Sequence, residues 1–441
     1  MTALVQTAGI FLQALRANLR GRGAWVLPAL LAANALLLPR ALRGDGTVEA
    51  GYTLAVRYTL GFTAFVLAIK GAASGAAAMA SDRRSGALAL TLAKPARAAA
   101  LFAGKWLGAL AACALMLAAS HALVLLPLRL NPETAARMAS RGVVGATLAP
   151  ARDVARAALE RMRREGTLPE GVPEREVLRD LARQAGQGYD VAGGGESIEW
   201  RFDLPRPLKP GAEIGLRVTF DQQWGMIGAA RGSVALRPAG AEGWAAEATV
   251  EGAVLQEVEA PFKGFDPAGC KAFEARFTNL GGEDAEPVLI HPGRGVALLV
   301  YGGNFWANAV RAYALQLALV AVFTALGVAL GAAFSMPVAV FAATVLYVLS
   351  MIAPALAEED FVDEDEKPGF LTRAGRGVTT ALQKGFDPLV SPEPLARLTR
   401  GEKIPAGVLA QSLGAGFFVF PGLALLVFCG ILKLRDSQED G

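Results

Sequence analysis

Residues Leu101–Leu128 read LFAGKWLGALAACALMLAASHALVLLPL. The run holds a single charge, Lys105, close to its start, and no acid. A helix needs about 20 apolar residues, at about 1.5 Å each, to cross a bilayer. This run exceeds that length and reads as a membrane span. Working outward, comparable runs occupy Ala24–Pro39 and Tyr52–Ala80 before it, and Ala312–Ala333, Pro337–Leu356 and Ile404–Leu432 after it. The mean hydropathy of +0.37 and the 53% of hydrophobic residues among 441 are concentrated in these runs. The expected fold is therefore mainly α, a polytopic membrane protein with six transmembrane helices, interrupted by an aqueous domain between the third and fourth. Three divisions follow: 1–130 with spans one to three, 131–303 as the inserted domain, and 304–441 with spans four to six and an external loop at 357–403.

Charge sets the expected orientation. The segment Ser81–Lys105 carries Arg83, Arg84, Lys94, Arg97 and Lys105 against one acid, Asp82. By the positive-inside rule it is cytoplasmic. Arg16, Arg20 and Arg22 precede the first span, and Lys433 and Arg435 follow the last. Six spans put all three basic regions on one side, with both termini cytoplasmic and the inserted domain outside. Long domains cross regardless of charge, so the arginines of the insertion do not oppose this. Ala33-x-Ala35 mimics a leader-cleavage site, but the apolar run continues past it and Pro28 breaks its core, so the segment reads as a retained span. Leu4–Leu19 mixes apolar residues with Gln13 and Arg16, a pattern that suits an amphipathic interfacial helix.

The insertion changes period along its length. Residues 131–190 read as helical, with Ala151–Glu165 and Glu174–Ala185 the clearest segments. Residues 196–303 alternate apolar and polar side chains over short stretches. These are Ser197–Asp203, Glu213–Phe220, Ser233–Arg237, Glu247–Val250, Leu255–Ala260, Ala272–Thr278 and Val296–Tyr301. Such spacing, punctuated by Gly, Pro and Asp, predicts a β-sandwich-like part within an α+β domain. Gly193–Gly195 lacks the lysine and strand–helix setting of a phosphate loop and reads as a linker. Trp200, Trp224 and Trp244 could line a carbohydrate face, but large aromatics more often fill such interiors, and the core reading is preferred.

Several chemistries are excluded or weak. Three scattered cysteines, two histidines and the absence of any metal-ligand spacing predict no metal site. The acidic run from Glu358 to Glu366 lacks the glycine-turned loop of a calcium site and reads as a solvated linker. A formal charge of +3 gives no argument for nucleic acid. No nucleophile, base and acid converge at a membrane face, which argues against an enzyme.

The basic loop is the most informative segment. Ser81 or Asp82 can cap a short helix that Pro95 would end, giving a basic, partly apolar segment held between two spans. By charge alone it only fixes topology. Asp82, Gly86, Leu88, Lys94, Pro95, Gly104 and Lys105 resemble the coupling region of type-2 ABC transporter permeases. Gly327–Ala339 and the segments Phe386–Leu389 and Gly401–Ile404, with Lys433-Leu-Arg435, are similar to that family as well. Ala87 and the Lys-Leu-Arg ending depart from the commoner threonine and paired arginines. The resemblance covers most of the membrane part and none of the insertion.

It implies a permease subunit of an exporter in a bacterial inner membrane. It also implies a cytoplasmic ABC ATPase partner carrying ATP and Mg, and a second permease, alike or related. The coupling residues would be Asp82, Arg83, Arg84, Gly86, Lys94, Pro95, Arg97 and Lys105. The chain has no Gly-x-x-x-x-Gly-Lys-[Ser/Thr], so no cofactor is expected on it. Lys70 has two readings. If the second span runs to Ser81 it lies about 16 Å deep and is a functional residue by default; if that span ends at Ile69 it snorkels at the edge. Gly71 and Gly75 form a GxxxG that permits close packing, and Pro421 predicts a kink in the last span. The competing reading is a membrane-anchored extracytoplasmic binding or sensing protein, against which six spans argue.

Overall fold

The computed structural model describes residues 3–20, 25–41, 48–86, 98–147, 188–221, 229–253, 256–282, 287–293, 295–358, 383–390 and 393–439. It also describes isolated positions in 155–181 and at 377 and 380. The chain divides into two compact units, Met1–Ala139 with Asn304–Gly441, and Ser140–Gly303.

The first unit is helical. In chain order its elements are α1 (Ala3–Arg20), α2 (Val26–Ala41), α3 (Val48–Thr53), α4 (Thr59–Arg84), α5 (Ala98–Leu130) and α6 (Pro132–Arg137). After the insertion come α7 (Phe305–Ala333), α8 (Met336–Glu358), α9 (Pro394–Thr399), α10 (Ala406–Gly414) and α11 (Phe420–Glu439). A π-helical turn, Leu54–Tyr58, makes α3 and α4 continuous. Among the described residues, four helices are long and apolar enough to cross a membrane: Ala50–Arg84, Ala98–Leu130, Phe305–Ala333 and Ala406–Leu434. Val26–Leu38 and Met336–Ile352 are apolar but shorter. At about 1.5 Å per residue Val26–Leu38 is shorter than a bilayer core of about 30 Å, whereas α8 as a whole, with 23 residues, reaches that length.

Glycines set how closely these helices approach. A Cβ on Gly75 would lie 2.7 Å from the Val328 nitrogen, and one on Gly327 would lie 2.2 Å from the Ala72 carbonyl oxygen. Gly75 of α4 and Gly327 and Gly331 of α7 therefore meet the opposite helix backbone against backbone, and Gly71 leaves room for the Thr324 side chain. Dispersion between close backbones takes the place of the hydrophobic effect where the surroundings are themselves apolar. Around this crossing Leu67, Leu117, Phe323 and Phe428 are fully buried in one cluster. Pro421 is preceded by a second π-helical turn, Ala415–Val419, where Gly416 packs on Ala318. A proline cannot donate to the preceding turn, and the widened turn absorbs that loss.

The second unit is built from strands. β1 (Arg141–Gly145), β10 (Val296–Tyr301), β4 (Ile214–Thr219) and β7 (Glu257–Phe262) form one sheet in that order. β3 (Ser197–Asp203), β8 (Ala272–Asn279), β5 (Ala229–Pro238) and β6 (Ala246–Ala253) form another, and β2 (Asp190–Ala192) pairs β9 (Val288–Ile290). All pairings are antiparallel. Period-two alternation sends Trp200, Phe202, Phe273 and Phe277 inward from one sheet and Leu216, Val218, Phe262 and Leu298 from the other, into one core. Gly232 leaves room for the Phe277 ring, which a Cβ would approach to 2.1 Å. β1 and β10 are neighbours, and the Gly303 amide donates to the Ser140 carbonyl at 2.9 Å. The two ends of the insertion thus lie side by side, which lets it interrupt a helical unit.

Two expectations change. The stretch read as helical, 131–190, contains a strand at Arg141–Gly145, because pairing with β10 overrides weak local preference, and ends where the strand Asp190–Ala192 begins. Described positions within 155–164 and 174–181 are helical. Trp200 is core, its Nε1 donating to Asp190 Oδ2 at 2.8 Å. Trp244 is not core: it is half-buried, with the guanidinium carbons of Arg237 and Arg276 over its ring at 4.4 and 4.1 Å from the centroid. Gly193–Gly195 is a turn joining β2 to β3. Trp224 and the acidic residues 359–366 lie outside the described residues.

Candidate functional site

The two ends of the basic loop are brought together by charges read as partner contacts. Lys105 is buried near the start of α5. Its Nζ lies 2.5 Å from Asp82 Oδ2 and donates to the Ala78 carbonyl at 2.9 Å, both on α4. Gly104, just before it, faces α1, where a Cβ would meet the Ile10 side chain at 2.6 Å. Gly108, one turn on, faces Ala14 in the same way. The Gly-Lys step therefore performs two packing tasks: the glycine admits α1 and the lysine fastens α5 to α4.

Arg83 fastens α4 to α7. Its Nη1 donates to the carbonyls of Ala332 and Ala333 at 3.3 and 3.0 Å, and its Nη2 to that of Phe334 at 2.7 Å. These oxygens belong to the end of α7, where intrahelical donors run out and the helix dipole is negative. A planar guanidinium can serve several such carbonyls at once. The sequence around 331–336 has no charge, so nothing local could signal this cap.

The other expected residues behave differently. Arg84 Nε bonds its own helix at the Ala80 carbonyl, 3.3 Å away, and the residue is exposed. Gly86 adopts φ +70°, the left-handed conformation that ends a helix after its C-cap. Lys94, Pro95 and Arg97 lie outside the described residues. Lys70 stands in the uninterrupted helix Thr59–Arg84, which does not end at Ile69. It is half-buried, with Nζ 3.2 Å from Asn18 Oδ1 and 3.3 Å from Ser74 Oγ.

A further anchor, absent from the sequence reading, holds Gly401–Ile404. Asn308 of α7 is 1% exposed. Its Nδ2 donates to the Glu402 carbonyl at 2.7 Å, and its Oδ1 accepts from the Ile404 amide at 2.8 Å. Arg311 adds a bond to the Ile404 carbonyl at 3.0 Å. An asparagine one turn into an apolar helix was the available signal.

Comparison with known families bears on this arrangement directly. Residues 8–147 match the family model described as ABC-2 family transporter protein. The match covers the first third of the chain. The matched residues take in most of α1, all of α2 to α6, the basic loop and β1, with Lys70, Asp82, Arg83, Gly86 and Lys105 among them. The ABC-2 match supports a permease component of an ABC transporter, which is a membrane transport component and not the ATPase. No curated protein and no solved structure matches the chain.

Proposed function

We propose that the chain is the permease subunit of an ABC exporter, moving a substrate across a bacterial inner membrane with ATP hydrolysed by a separate subunit. The loop at 81–105 would dock the ATPase, which carries ATP and Mg, and the working unit would contain a second permease. In this reading the six spans are the four long helices with α2 and α8, both termini are cytoplasmic, and the strand-built unit is an extracytoplasmic sandwich.

One observation carries the proposal: both ends of the loop are tied into the helical unit. Asp82–Lys105 joins α4 to α5, and Arg83 joins α4 to the end of α7. A displacement imposed on such a loop moves three helices together instead of flexing a tether, which suits rigid-body rocking. A loop that served topology alone would not require these ties. The test is coupled ATP hydrolysis in a reconstituted complex carrying Arg83→Gln, Gly86→Val or Lys94→Gln. The proposal expects loss of substrate-stimulated hydrolysis with the complex still assembled in Arg83→Gln, and weaker ATPase binding in Lys94→Gln. Unchanged binding and coupling in all three would remove the coupling assignment.

A further inference from the structure

Among the described residues, no acid pairs with Lys70. Residues 1–131 contain only three acids, Asp45, Glu49 and Asp82. Asp82 is held by Lys105 and is twelve residues away, about 18 Å along the helix. Glu49 is farther still, and α1 and α7 contain no acid at all. An ammonium has three donors, and the two acceptors on Lys70, Asn18 Oδ1 and Ser74 Oγ, are neutral. A half-buried cation in an apolar helix is costly without an anion.

The surroundings provide space for one. A cleft of about 470 Å³ runs between α1, α4 and α5, with Gln13, Asn18, Ser74 and Ser81 among its polar walls and the Asp82–Lys105 pair at its other end. Asn18 and Ser74 line it, so the ammonium that joins them stands at the cleft's edge. Arg16 and Arg20 are exposed on α1 close by in sequence. The volume suits a small polar headgroup, not a folded segment.

We propose that this cleft binds the phosphate of an anionic phospholipid, with Lys70 as the cation that selects it. A lipid is preferred to free phosphate because the cleft is bounded by helices that carry exposed apolar side chains, Leu12 and Leu19 among them, beside which acyl chains can lie. This holds whether or not the ATPase pairing is correct.

The test uses the full chain, purified and stripped of lipid in detergent. Native mass spectrometry and thermal melting follow titration with phosphatidylglycerol, phosphatidylcholine or inorganic phosphate. Phosphatidylglycerol is expected to stay bound and to raise the melting temperature, and the other two are not. Lys70→Gln, which keeps a hydrogen-bonding end without the charge, is expected to weaken phosphatidylglycerol about tenfold or more, the scale of a lost charge-assisted bond. Lys70→Arg should retain it. Ala77→Phe, which fills the cleft and leaves Lys70 in place, should also abolish retention. Equal binding of phosphatidylcholine, or wild-type binding by both Lys70→Gln and Ala77→Phe, would overturn the proposal. Equal protection by inorganic phosphate would overturn the lipid assignment.

Discussion

Arg83 Nη2 donates to the Phe334 carbonyl at 2.7 Å, across 251 residues of chain. The bond places the end of α4 on the turn between α7 and α8, so the residue after which the loop departs also ends a neighbouring helix. Removing the fork should loosen that turn. Arg83→Gln is expected to destabilise by about 1–2 kcal/mol, the scale of lost charge-assisted hydrogen bonds at a partly exposed site. Arg83→Lys should recover part of this, since it keeps the charge near the helix end but not the planar fork. Thermal melting in detergent measures both.

The Asp82–Lys105 pair predicts an asymmetry. The Lys105 side chain is 9% exposed and that of Asp82 is 26% exposed. Asp82→Asn leaves a buried ammonium without its anion, whereas Lys105→Met leaves a carboxylate that water can reach. Asp82→Asn should therefore cost more, about 2–3 kcal/mol against about 1 kcal/mol. Equal costs in melting experiments would contradict this account of the pair.

Close packing at the glycine crossing predicts a position-dependent alanine effect. Gly327→Ala puts a Cβ into the Ala72 backbone, which cannot swing aside. A cost of about 1–3 kcal/mol or more is expected. Gly430, in α11, has nothing within 4 Å of its Cβ position, and alanine there should be neutral or stabilise by up to about 1 kcal/mol. The comparison separates packing from general helix preference.

Asn308 makes a two-way contact with the 401–404 segment. Asn308→Ala leaves a buried carbonyl and a buried amide unpaired and should cost about 2–4 kcal/mol. Asn308→Asp restores the acceptor for Ile404 but opposes the Glu402 carbonyl, so it should rescue little. Proteolytic susceptibility near residue 401, read alongside melting, reports whether the segment has come away from α7.

Much of this was legible from local pattern. Ser197–Asp203 follows from alternation alone, since it exposes one face and buries Trp200 and Phe202 on the other. The long apolar helices follow from uninterrupted hydropathy. What local pattern missed are pairings at long range. β1, β2 and β9 are short, and only their partners make them strands. The ties made by Asp82, Arg83 and Lys105 were hidden because their bonding partners are on other helices. The Gly104 role was hidden for the same reason: nothing in α5 shows that α1 lies against it.

The most direct test of the central proposal is what the full chain retains on affinity purification from native membranes in mild detergent. The account predicts that an ABC ATPase is retained in stoichiometric amount, and that replacing residues 87–97 by a glycine–serine linker releases it while α4 and α5 stay folded. Recovery of the chain without any ATPase, or full retention by the linker variant, would contradict it.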